Sequence, residues 1–159
     1  MKNHKFSHVD ASGNPSMVDV SGKEITARSA SAQAIINCGP EIMSQIKDNE
    51  LITKKGPVFQ TAIIAGVMGA KKTADLIPFC HPLMMEDCQV SIAIKAKKII
   101  ISGSAKISGK TGVEMEALTA VTIAALTIYD MCKALSHDIV IEEIKLMEKR
   151  GGKKDFKRK

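Results

Sequence analysis

One apolar stretch, Gly109 to Leu135 (GKTGVEMEALTAVTIAALTIYDMCKAL), limits what this 159-residue chain can become. Val113, Leu118, Val121, Ala125, Ile128 and Leu135 recur near the period of a helical apolar stripe. Thr119, Thr122 and Thr127 soften the opposite side without charging it, which predicts a helix buried on more than one face. Charge sits only at the ends, with Glu114 and Glu116 in the first turn and Asp130 and Lys133 in the last. The two acids suit the positive end of the helix dipole and Lys133 the negative end, whereas Asp130 suits neither. Lys133, three residues on, is its local partner. Such a pair is commonly a structural ion pair. Buried among apolar residues it becomes an acid/base unit, because desolvation and neighbours draw both pKa values toward neutrality.

The rest of the core has to be built without bulk, since aromatics are 3% of the chain and Trp is absent. Ile, Ala, Val, Leu and nine Met supply it, and the small side chains leave flat faces suited to subunit contact. The length suits one domain or one protomer of an oligomer. A net charge of +6 and a pI near 9.2 favour anionic partners, although much of the excess sits in the tail KRGGKKDFKRK. Cys38, Cys80, Cys88 and Cys132 form no C-x-x-C pair, so reduced thiols are expected in place of disulfides or a zinc site. No apolar run approaches the roughly 18 residues of a membrane span. A cytoplasmic protein with no membrane partner is expected.

Residues 1–16 are polar and predicted to be a flexible N-terminal arm, 17–150 a single catalytic domain and 151–159 a basic loop hinged at Gly151-Gly152. Met17 to Ser21 reads as a short extended segment. Ile25 to Ile36 alternates Ala30, Ala32, Ala34 and Ile36 with Ser29, Ser31, Gln33 and Ile35, which predicts a strand despite alanine's helical preference. Gly39-Pro40 opens a helix to about Asn49, and Thr53-Lys54-Lys55-Gly56-Pro57 precedes another from Val58 to about Thr73. In the second helix Gly66 and Gly69 permit a close neighbour. Cys88 to Lys95 and Ile99 to Ile107 read as strands around a Lys97-Lys98 turn, and Ile139 to Met147 as a last strand with a bulge at Glu142-Glu143. The order β-α-α-β-β-α-β suits a ferredoxin-like α+β fold, an antiparallel sheet with helices packed on one face.

Ser108-Gly109-Lys110-Thr111 imitates a phosphate loop but fails the spacing, because the required glycine position is held by Ser104. Phe79-Cys80-His81 between Pro78 and Pro82 is more promising, since a rigid loop can hold an imidazole in one orientation. The Lys71-Lys72 and Lys54-Lys55 pairs could contact phosphate or simply be solvated. Glu116 lies 14 residues before Asp130, about 21 Å along a helix, too far for one small reaction centre. Either the ligand is long or a second subunit brings one end close. A noncatalytic RNA-binding module is disfavoured, because four Phe and one Tyr in mostly apolar segments offer little stacking surface.

The segments MVDVSGKEITARSA, KKGPVF, AGVMGAKKTADLIPFCHPL, SGKTGVEMEALTAVTIAALTIYDMCKAL and the closing GGK closely resemble the cyclic pyranopterin monophosphate synthase family, from about Met17 to Gly152. The resemblance implies a ferredoxin-like protomer assembled as a homohexamer, a trimer of dimers. It also implies conversion of a 3′,8-cyclo-7,8-dihydro form of GTP to cyclic pyranopterin monophosphate with loss of diphosphate, a lyase reaction of molybdenum cofactor biosynthesis. It implies a nucleotide-derived small-molecule substrate. No metal-ligand cluster is visible in the sequence, so no resident cofactor or metal is expected, Mg²⁺ entering only with the triphosphate, and no nucleic acid partner is expected either. Asp130, Lys133 and Lys55 fall at the catalytic positions. Phe79, Cys80, His81, Met115 and Glu116 fall at substrate-binding positions, with Lys71 in a matching basic segment. Two departures stand out: Phe79 replaces an expected leucine, and the tail is more basic and one residue shorter than the usual glycine loop. Whether Lys55 and Asp130 meet within a chain or across an interface is left open.

Overall fold

The computed structural model describes residues 12–159, so residues 1–11 of the expected arm lie outside the described chain. Alternation builds the central strand β1 (Thr26–Asn37), which buries Ala30, Ala32, Ala34 and Ile36 and leaves Ser29, Ser31, Gln33 and Ile35 on the other face. It is followed by α1 (Gly39–Met43), a small hairpin of β2 (Ile52–Thr53) and β3 (Gly56–Pro57), α2 (Val58–Lys71) and α3 (Thr73–Leu76). Then come β4 (Asp87–Lys95), β5 (Lys98–Gly109), α4 (Glu114–Cys132), β6 (Val140–Arg150) and β7 (Phe156–Lys157). The main sheet runs β4-β5-β1-β6-β7 with every pair antiparallel. Without β7, the small hairpin and the short helices α1 and α3, that sheet order and the chain order βαββαβ are those of the ferredoxin-like α+β fold.

Small residues set the layer spacing. Helix α4 buries Ala117, Ala120, Ala124 and Ala125 and packs on β1 and β5, with Gly103 of β5 under Ala117, Ala120 and Val121, while α2 packs on its flank at Ala120 and Ala124. A Cβ at Gly66 would lie 2.8 Å from the Ala120 carbonyl oxygen, and one at Gly69 would lie 2.6 Å from Ile123 Cγ1. The two glycines therefore admit the second helix as their spacing suggested. Helix α4 is thus buried on two sides, by sheet and by α2. By length and composition it is also apolar enough to cross a membrane, contrary to the sequence expectation. Its burial makes it the core helix of this domain.

Several local expectations are corrected. Helix α1 stops at Met43, beyond which Gln45 and Ile46 donate back only three residues, to the Ile42 and Met43 carbonyls; Asp48 and Asn49 then take left-handed conformations (φ 49° and 58°) and Lys47 and Glu50 pair across them. Helix α2 breaks at Lys72, and α3 adds one further turn before Pro78. The β4–β5 turn is Ala96-Lys97, both left-handed. The bulge expected at Glu142-Glu143 is present, with Glu142 skipped between Ile35↔Glu143 and Ile36↔Ile141, and a second one skips Met147 between Ser31↔Glu148 and Ala32↔Leu146. Met17 to Val20 carries no regular structure, and the tail is not a plain loop: it returns as β7 along the outer edge of β6. All four cysteines are free, and burial pushes the Cys38 and Cys132 thiols up to about 12 and about 11.

Candidate functional site

Chemistry-bearing side chains gather at both ends of α4. At its C-terminal end the chain has to deliver Lys55 from far away in sequence, and Glu50 makes this possible. The N-cap position of α2 is Pro57, which offers no side-chain acceptor, so the first N–H groups of that helix need partners from elsewhere. The Glu50 carboxylate accepts from the backbone N–H groups of Phe59 (2.8 Å) and Gln60 (3.1 Å), as well as Leu51 (2.8 Å). This pins the β2–β3 hairpin against the start of α2, and Gly56 (φ 107°) turns it so that Lys55 reaches α4. Lys55 Nζ donates to Asp130 Oδ2 at 2.7 Å and to the Asp130 carbonyl at 3.1 Å. Lys133 Nζ pairs with Asp130 Oδ1 at 2.7 Å.

All three predicted catalytic residues therefore meet within one chain, but not as a buried acid/base pair. The Asp130 side chain is 53% exposed. The Lys133 ammonium, and then that of Lys55, hold its carboxyl down at about 2, while Asp130 pushes Lys133 up. The two pKa values move apart, where burial would have drawn them together. As arranged here Asp130 is a carboxylate that orients two proton-donating ammonium groups. Beside it an apolar cavity of about 750 Å³ is walled by Ile52, Lys54, Lys55, Met131 and Leu135.

At the other end, α4 begins after Val113 with no side-chain cap, and the Glu116 carboxyl accepts from its own backbone N–H. Phe79, Cys80, His81, Met115 and Glu116 line a single cavity of about 540 Å³ at this point. The irregular segment before β1 forms its opposite wall: His81 Nε2 donates to the Val18 carbonyl at 2.9 Å, which leaves Nδ1 free of that bond. Cys80 is an uncharged thiol, pushed up by burial and then by Glu116. Glu116 itself is 4% exposed, makes no ion pair among the described residues and is raised by burial. Lys71 is not brought here; it lines a neighbouring cavity with Asp87 and Cys88.

The sequence reading missed the basic rim. Lys23, Lys149 and Lys153 line the same cavity, and Arg28 joins them around an adjoining space of about 220 Å³. Lys149 Nζ pairs with Glu114 Oε1 at 2.9 Å. In the sequence Lys149 opens the basic tail segment KRGGKKDFKRK and counts with its surplus charge. The strand register places it: beyond the two β6 bulges Lys149 sits opposite Ala30 and so points to the helix side of the sheet.

The raised Glu116 pKa has a testable sign. A carboxyl raised in the fold contributes stability below its ordinary value of 4.5 and loses it as pH rises through the folded value. Glu116→Gln is therefore expected to melt above the wild type at pH 7 to 8, with the gap closing as pH falls toward 4.5. A gap that stays constant across that range, measured by thermal unfolding, would show that burial does not penalise this carboxylate.

Comparison with known proteins gives two findings. A family model described as the MoaC family matches residues 17–152. Molybdenum cofactor biosynthesis protein 1 of Dictyostelium discoideum is 48% identical over 96% of this chain, and the chain spans 27% of the length of that relative.

Proposed function

This chain belongs to the MoaC family, and from that membership we propose that it is an enzyme of molybdenum cofactor biosynthesis, a cyclic pyranopterin monophosphate synthase. Its substrate on this reading is the 3′,8-cyclo-7,8-dihydro form of GTP, and the products are cyclic pyranopterin monophosphate and diphosphate. The observation that carries the reading is the junction of Lys55, Asp130 and Lys133, assembled from segments 75 residues apart. Opening and reclosing the rings of a cyclised purine nucleotide takes serial proton transfers, and positioned acids and bases are the means. Two ammonium groups held on one carboxylate can give protons and take them back as substrate enters. Release of diphosphate follows when a sugar hydroxyl attacks the α-phosphorus: a new P–O bond forms, the α–β bridge breaks, and the hydroxyl proton passes to a neighbouring base. The rim of Lys23, Lys149, Lys153 and Arg28, with His81, suits the charge of the triphosphate and of its leaving group.

Glu116 and Asp130, at the two ends of α4, lie about 21 Å apart at 1.5 Å per residue. We therefore read one complete site as the Asp130 end of one protomer facing the His81 end of another, which makes the working enzyme a homo-oligomer, a hexamer on the family resemblance. A cytoplasmic location and the absence of a resident metal belong to the same reading. The test supplies the purified chain with cyclised dihydro-GTP and follows both products. Cyclic pyranopterin monophosphate and diphosphate are expected in equal amounts, and no turnover by folded protein would overturn the assignment.

A further inference from the structure

The basic tail is tied to the sheet more firmly than a surplus of charge requires. In β7, Phe156 lies opposite Lys149 and Lys157 opposite Glu148. Arg158 then fastens the end: its backbone N–H donates to the Met147 carbonyl at 2.7 Å and its Nε to the Leu146 carbonyl at 2.8 Å, with the guanidinium 5.6 Å over the Phe156 ring. The loop between β6 and β7 is closed from within, because Asp155 Oδ1 accepts the Gly151 N–H at 3.0 Å. At the other side the Gly151 carbonyl accepts from Thr26 Oγ1 at 2.9 Å. Gly151 sits at φ 81°, and a Cβ there would lie 2.0 Å from the Ala27 carbonyl oxygen, so only glycine fits. What this loop presents is Gly152 and Lys153, and Lys153 lines both spaces of the basic rim.

We infer that Asp155 is a positioning residue for anion binding: by closing the β6–β7 loop onto Gly151 it holds Lys153 over the cavity at the start of α4. The inference rests on the reading that this cavity receives the triphosphate. Two consecutive glycines followed by two lysines would otherwise sample many conformations, and ordering them on binding would lower affinity. A carboxylate beside an anion site weakens binding by its charge, so its benefit has to come through geometry. The two effects have opposite signs, which separates them.

Steady-state kinetics of the full chain with cyclised dihydro-GTP provides the test. Asp155→Ala is expected to raise KM about five- to tenfold, the scale of one misplaced charge-assisted contact, and to leave kcat within about twofold. Asp155→Asn keeps an acceptor for Gly151 while removing the charge, and is expected to restore KM to the wild-type value or below. Lys153→Ala is expected to raise KM as Asp155→Ala does, with no further rise in the double variant. An unchanged or lowered KM in Asp155→Ala, or equal lowering by Ala and Asn, would overturn the inference. If Lys153→Ala raises KM while Asp155→Ala does not, the cavity reading stands and the positioning role falls. Absence of wild-type turnover would remove both together.

Discussion

Asp130→Asn is expected to fold, to keep nucleotide affinity and to lose about 10²–10⁴-fold in kcat, the usual contribution of a positioned acid/base group. Asparagine preserves the shape and one acceptor oxygen but removes the charge that holds two ammonium groups, each at 2.7 Å. Lys55 and Lys133 would then repel each other, and neither would stay aimed at a reacting atom. The fold should survive, because all three side chains are about half exposed and exposed ion pairs contribute little to stability. The pH dependence follows from the depressed carboxyl. Stability due to Asp130 is fully present above its ordinary 3.8 and is lost only as pH falls toward about 2. Wild type and variant should therefore show the same difference in melting temperature at pH 6 and pH 8, and an inflection in wild-type rate between those values belongs to another group. Thermal melts and single-turnover product formation check both points. Full activity in the variant would make Asp130 structural.

Mixing inactive variants tests how the two ends of α4 are used. Lys55 and Asp130 touch within one chain, so Lys55→Ala and Asp130→Asn damage the same end, and their mixture should stay inactive. Asp130→Asn mixed with His81→Ala damages opposite ends. After subunit exchange in a symmetric oligomer, about one site in four would carry an intact residue from each chain, restoring about a quarter of wild-type activity. Native mass spectrometry would confirm that mixed oligomers form. If they form and activity does not return, each site is confined to one chain, and the proposal that a single helix serves two sites fails.

The sheet and its central helix were legible because their signals are local. Ala30, Ala32, Ala34 and Ile36 alternate whatever surrounds them, and the bulge at Glu142 shows as a slip in that alternation. Gly66 and Gly69 announced a close neighbour, though not which one. The misjudged elements are those whose ends depend on distant groups. Ser44 to Asn49 has no helix breaker stronger than Asn49, yet the chain turns there, and the turn puts Glu50 where it caps α2. The tail looked like a hinged loop because Phe156 and Arg158 find their partners only once β6 exists.

The same division runs through the candidate site. Asp130 and Lys133 were visible as a pair, since three residues on a helix fix their proximity. Phe79-Cys80-His81 was visible because two prolines fix a loop in any context. Only the tertiary structure decided that Asp130 is exposed and held at about 2, that Lys55 is its second partner, and that Lys23, Lys149 and Lys153 ring the far cavity. Periodicity, dipole and backbone restriction act within a few residues and can be read along the chain. Burial, and the pKa shifts and charge clusters it governs, depends on which distant segments come together, and that is settled only when the sheet closes around α4.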